Sequence, residues 1–232
     1  KFNVKLYDAS EKTALLAIQG PKALTAMQSI CDTELDQLSY YSHTTNTFAG
    51  IENVMVATTG YTGAGGIEIY FDVSDAEKIW KAVMEAGTNF GILPVGLAAR
   101  DTLRLEMGYC LYGNEINDKS CPISAGLGWV TKPHTAFLNA TLHQKSIEEG
   151  TSEKLVGFQI DERGIPRSSY LLFDTEENPI GRVTSGTQSP SLNKGIGLGY
   201  VKTKFSKPGQ KISVKIREKF VPASIIKLPF VK

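Results

Sequence analysis

The residues best suited to chemistry lie in two short stretches. One is Thr59-Gly60-Tyr61-Thr62-Gly63-Ala64-Gly65-Gly66-Ile67-Glu68-Ile69, where a glycine-dense turn runs into a strand carrying a carboxylate. The other is Gly96-Leu97-Ala98-Ala99-Arg100-Asp101-Thr102-Leu103-Arg104-Leu105-Glu106, which sets two arginines one helical turn apart. Glu68 alternates with Ile67 and Ile69, so on a strand it projects from the opposite face. A carboxylate so placed is most often simply solvated. The turn beside it favours a ligand, because Gly60, Gly63, Gly65 and Gly66 permit positive φ and close approach. A carboxylate there can accept two parallel N–H bonds from an aminopyrimidinone ring.

Asp101 stands three positions before Arg104 and can pair with it along a helix. No acidic residue stands three or four positions from Arg100. Arg100 is therefore the better candidate for an external carboxylate, which its planar fork can grip through two bonds. Tyr61, inside the glycine turn, and Trp129, in Ala125-Gly126-Leu127-Gly128-Trp129, are the aromatic candidates, although packing is the commoner fate of a tryptophan. These groups suit a ligand with an amide-like heterocycle at one end and an acidic tail at the other. Folate has that form. The glycine turn is no phosphate loop, since it has neither GxxxxGK[ST] nor a GxGxxG opening a helix. No nucleophile–base pair stands out, and Cys110 reads as a structural thiol. The residues outline a binding site without a catalytic apparatus.

Composition narrows the partners. The 232 residues carry 25 basic and 24 acidic side chains, a net charge of +1, and no basic run, so a nucleic-acid footprint is not expected. No apolar run reaches the ~20 residues of a membrane span. Cys31, Cys110 and Cys121 are odd in number and far apart, which argues against a disulfide framework and for a reducing compartment. His43, His134 and His143 form no metal-ligand spacing, so no metal is expected. No targeting segment is visible, and the expected location is cytoplasmic. The chain opens on Lys1-Phe2-Asn3 without a methionine, as the middle of a longer protein would.

The elements that must position these residues alternate in type. A strand over 13–18 ends in Gln19-Gly20-Pro21 and leads to a helix carrying Leu24, Met27, Ile30 and Cys31. Strands over 54–58 and 67–71 bracket the glycine turn as an antiparallel pair. A helix follows, capped by Ser74 or Asp75, with Ile79, Trp80, Val83 and Met84 as its buried stripe. A third runs from Pro94 and Gly96 to Glu106. This order predicts an α+β layer, helices packed on antiparallel sheet. A polar helical connector around 144–153 precedes short strands at 155–160, 169–173, 180–184, 196–201, 211–216 and 224–228, the spacing of a small β-barrel. The expected domains are 1–150, the α+β region with its connector, and 151–232, the barrel.

Together with Ala17-Ile18-Gln19-Gly20-Pro21, Leu111-Tyr112-Gly113-Asn114-Glu115 and Thr184-Ser185-Gly186-Thr187-Gln188-Ser189-Pro190-Ser191, these stretches resemble the T-protein family of the glycine cleavage system, the aminomethyltransferases. The likeness runs from about residue 13 to Lys232 and includes Gly199-Tyr200-Val201 and Leu228-Pro229-Phe230. It implies transfer of an aminomethyl group from the lipoyl arm of the H-protein to tetrahydrofolate, with release of ammonia. It also implies a folate lying in a central hole between a two-part α+β region and a C-terminal barrel. Matched residue by residue, Glu68 would hold the pterin, Arg100 the glutamyl tail, and Tyr61 and Trp129 would line the pocket.

The sequence departs from the family at Ala64-Gly65, where many relatives carry an acidic pair, and it stops soon after Phe230. The family's N-terminal portion, with its catalytic aspartate, has no counterpart, so no catalytic residue is assigned and Asp101 is not a substitute. The expectation is a fragment that binds folate weakly and turns over little. Three alternatives stay open: a non-enzymatic folate-binding relative, disfavoured by the absence of a KGCYxGQE-type motif, the folate domain of a dimethylglycine- or sarcosine-oxidising enzyme, and a purely structural fragment with no ligand.

Overall fold

The computed structural model describes residues 3–231. They divide into two compact units, Lys1–Leu97 and Ala98–Lys232.

The first unit is a four-stranded antiparallel sheet backed by helices. Its strands are β1 (Thr13–Gln19), β2 (His43–Phe48), β3 (Ile51–Ala57) and β4 (Gly66–Asp72), in the order β1-β4-β3-β2. Helices α1 (Ala23–Met27) and α2 (Ala76–Gly87) cover one face. Alternation decides which face: Ile67, Ile69 and Phe71 of β4 and Val54 and Val56 of β3 join Met27, Ile79 and Val83 in one buried cluster. The expected pairing of the strands around the glycine turn is present, with Met55 opposite Tyr70 and Ala57 opposite Glu68.

Three local details differ from the sequence reading. Strand β2 was not expected, because His43-Thr44-Thr45-Asn46-Thr47 is polar; as the edge strand it needs burial only at Phe48. The capping carboxylate before α2 is Asp72, which accepts the Ser74 N–H at 2.9 Å and starts a 3-10 turn, Val73–Asp75, ahead of the helix. Trp80 is 44% exposed rather than buried, since Ile79 and Val83, four apart, already face the sheet.

The second unit opens with α3 (Leu97–Glu106) and, after irregular chain, α4 (Ala140–Glu149), the polar connector. Six strands follow: β5 (Glu153–Ile160), β6 (Leu171–Phe173), β7 (Pro179–Ser189), β8 (Lys194–Lys202), β9 (Lys211–Ile216) and β10 (Lys219–Ile226). They close into a barrel in the ring order β10-β5-β8-β7-β6-β9, which leaves no open edge. Every strand window read from the sequence contains part of one of these strands. Phe158, Ile160, Leu172, Val201 and Val214 fill the interior. Gly197 of β8 has no side chain because a Cβ there would lie 2.5 Å from the Phe158 ring. The fold is thus α+β followed by a small closed barrel, as the alternation and turn spacing predicted.

Candidate functional site

Glu68 lies on the face of the sheet turned away from α1 and α2. Its cross-strand neighbours are Ala17 on β1 and Ala57 on β3, so small side chains flank the carboxylate on both sides. Its Oε2 accepts a hydrogen bond from Thr59 Oγ1. Tyr70 follows on the same face, and its phenol pKa is pushed up first by burial and then by the negative charge of Glu68.

The turn between β3 and β4 is organised by one side chain that the residue reading passed over. Gln19, at the end of β1, donates from Nε2 to the carbonyls of Thr59 and Ile67, each at 3.1 Å. Its Oε1 accepts from Thr62 Oγ1 at 2.9 Å. This revises the role of two glycines. A Cβ on Gly60 would sit 2.0 Å from Gln19 Oε1, and one on Gly66 would sit 2.3 Å from the Ile18 carbonyl. Those two positions make room for β1 rather than for a visitor. Gly63 and Gly65, at φ 68° and 75°, supply the left-handed backbone that turns the chain. Tyr61 is half-buried within this turn, so Tyr61 and Glu68 share one turn and strand of the first unit.

Arg100 and Trp129 belong to the second unit. Arg100 is exposed on α3, and Trp129 is 70% exposed in the chain that follows. Arg104, one turn from Arg100, is fully buried and has a different task. It donates from Nε to Asp101 at 2.8 Å, as the helical spacing predicted. From Nη1 it also reaches Glu115 Oε2 at 2.8 Å and the Tyr109 carbonyl at 3.0 Å, and from Nη2 Ser185 Oγ at 2.9 Å. Glu115, 1% exposed, accepts in turn from Leu111 N–H and from Thr184 Oγ1. Glu106 accepts from Ser189 Oγ and Ser191 Oγ. The Leu111–Glu115 and Thr184–Ser191 stretches therefore meet as a buried polar network on α3. No periodic pattern announces the links from this region to Thr184–Ser191, because they join residues 69 to 85 positions apart.

The thiols differ in character. Cys110 is pushed up to about 11, chiefly by burial and secondarily by Glu115. Burial also raises Cys121, but hydrogen bonds from the Ser124 and Ile123 backbone and from the Ser146 and Ser124 hydroxyls outweigh it, and the net direction is down. No group of three or more His, Cys, Asp or Glu side chains able to hold a metal ion occurs among the described residues.

A helix-backed antiparallel sheet followed by a closed six-stranded barrel defines an α+β protein with an appended small barrel, and comparison with known proteins makes that class specific. Residues 1–135 match the GCVT N-terminal domain, and residues 153–232 match the glycine cleavage T-protein C-terminal barrel domain. The chain belongs to the glycine cleavage T-protein family. It is 54% identical over 229 residues to the aminomethyltransferase of Flavobacterium psychrophilum, covering 99% of this chain and 64% of that protein. It is 53% identical over 230 residues to that of Bacteroides thetaiotaomicron, covering 98% and 64%. The crystal structure of glycine cleavage system aminomethyltransferase T from Bartonella henselae superposes with a TM-score of 0.85 at 33% identity, over 94% of this chain and 60% of that one. The chain thus spans 64% of the length of these two curated relatives.

Proposed function

We propose that this chain supplies the folate-gripping part of an aminomethyltransferase of the glycine cleavage system. In the proposed reaction the C–S bond of the aminomethyl-lipoyl thioether on the H-protein breaks. The methylene carbon passes to two nitrogens of tetrahydrofolate, the amine departs as ammonia, and the sulfur is left as a thiol of the dihydrolipoyl arm. The protein's task is chiefly placement, which by itself can lower a barrier by roughly 7–11 kcal/mol when the reacting atoms are held in line. Glu68 accepts the paired N–H groups of the pterin. Arg100 takes the acidic glutamyl tail, and Tyr61 and Trp129 provide aromatic walls. No catalytic residue is assigned within the chain. Partners are the lipoylated H-protein and tetrahydrofolate, with no nucleic acid and no membrane; no described helix is long and apolar enough to cross one. The proposed domains are 1–150 and 151–232, supported by the start of the barrel at Glu153, and the proposed location is cytoplasmic.

The observation that carries the reading is the carboxylate of Glu68 on the sheet face opposite α1 and α2, with alanines on either side and one oxygen already oriented by Thr59. Calorimetric titration of the chain with tetrahydrofolate tests it. Glu68→Ala and Arg100→Ala are each expected to raise Kd by about tenfold or more, the worth of a charge-assisted hydrogen bond. Equal affinity for wild type and both variants, or no binding by the wild type, overturns the reading.

A further inference from the structure

We infer that Thr59 is a positioning residue for the folate site, its hydroxyl aiming the Glu68 carboxylate and its backbone clamped by Gln19. The inference rests on the reading of Glu68 given above. The terminal torsion of a glutamate is broad and two-fold, so a half-buried carboxylate can still turn unless something stops it. The Thr59 hydroxyl stops it by donating to Oε2. The bond engages Oε2 alone among the two carboxylate oxygens within the described residues, which directs Oε1 as the oxygen for a ligand.

A donor can aim an acceptor only if it is itself fixed. Threonine is β-branched and stiff at its first torsion, so its hydroxyl follows its backbone. That backbone is fixed by Gln19, whose single Nε2 bonds the carbonyl of Thr59 and that of Ile67, the residue preceding Glu68. Donor and acceptor are thereby referred to one rigid point. Both Nε2 hydrogens are used, and Oε1 is taken by Thr62, so the amide has one orientation that satisfies all three bonds. Gln19 stands opposite Gly66 in the β1–β4 ladder, which anchors the clamp to the sheet. The clamp lies wholly within the first unit.

The plain alternative is a latch that only joins the end of β3 to β4. Tetrahydrofolate titrations of Glu68→Ala, Thr59→Val, Thr59→Ser and the double variant separate the two. Thr59→Val is expected to weaken binding about tenfold, in line with one lost charge-assisted bond, and Thr59→Ser to restore it. On the Glu68→Ala background, Thr59→Val should have no further effect. A latch would weaken binding additively and would not distinguish Thr59→Ser from Thr59→Val; either result, or wild-type affinity in Thr59→Val, overturns the inference while Glu68→Ala still weakens binding. Wild-type affinity in Glu68→Ala overturns the folate reading itself, and the inference with it. Should Thr59→Val lose its circular-dichroism signature, Thr59→Ala is judged by the same criteria.

Discussion

Arg104 and Arg100 show how differently one residue type behaves one helical turn apart. Arg104 has exchanged water for a complete set of acceptors on Asp101, Tyr109, Glu115 and Ser185. A buried pair such as Arg104–Glu115 adds little net stability over a packed apolar pair, yet losing one partner strands the other. Glu115→Ala is therefore expected to cost about 3–5 kcal/mol in urea unfolding. Arg104→Lys should also destabilise, because a point charge cannot serve acceptors spread around a fork. The thiols offer a separate check. A lowered pKa enlarges the thiolate fraction near neutral pH, and a raised one shrinks it. Cys121 is lowered, whereas burial raises both Cys31 and Cys110. Brief treatment with iodoacetamide near neutral pH should label Cys121 first in peptide mass maps, and raising the pH should narrow its lead.

Within the elements, the β3–β4 turn distinguishes two uses of glycine. Gly65 has a positive φ but open space around it, so Gly65→Ala should lose only the left-handed penalty of ~1–2 kcal/mol. Gly66, at φ 133°, combines a strained backbone with a Cβ position 2.3 Å from the Ile18 carbonyl. Gly66→Ala must push β1 from β4 at the Gln19 pairing, and its expected cost exceeds ~3 kcal/mol. Thermal unfolding of the two variants compares them directly; equal losses would mean that the ladder yields at little cost. Because Gly66 faces Gln19, the same substitution should also loosen the clamp on Thr59 and weaken folate binding.

At the scale of a whole unit, closure of the barrel makes six short strands act together. Strand β6 is three residues long and could not stand alone, but β7 and β9 hold it on either side. Phe158 is fully buried at the centre and packs against Gly197. Phe158→Ala should cost about 3–5 kcal/mol. In hydrogen–deuterium exchange its effect should spread around the ring to β6 and β9, not stop at β5 and its neighbours β8 and β10. Exchange confined to β5 would show that the ring opens strand by strand.

Most of this architecture was written locally. Alternating Ile67, Ile69 and Phe71 against Glu68 and Tyr70 set the two faces of the sheet, and the 3.6-residue stripe of Ile79 and Val83 set the inner side of α2. Repeated turn residues at short intervals announced the barrel, since each hairpin depends on its own few residues. Local pattern could not reach polar groups that meet only after folding. Nothing in the alternation marks Gln19 as the clamp on a turn 40 residues later, or Glu115 as the partner of both Arg104 and Thr184. It likewise buried Trp80, which the packing of its neighbours leaves outside. Backbone periodicity is a property of neighbours in the chain, so sequence alone determined the elements and their apolar faces. Hydrogen bonding between distant side chains depends on which elements come together, so only the tertiary structure decided how the carboxylates are held.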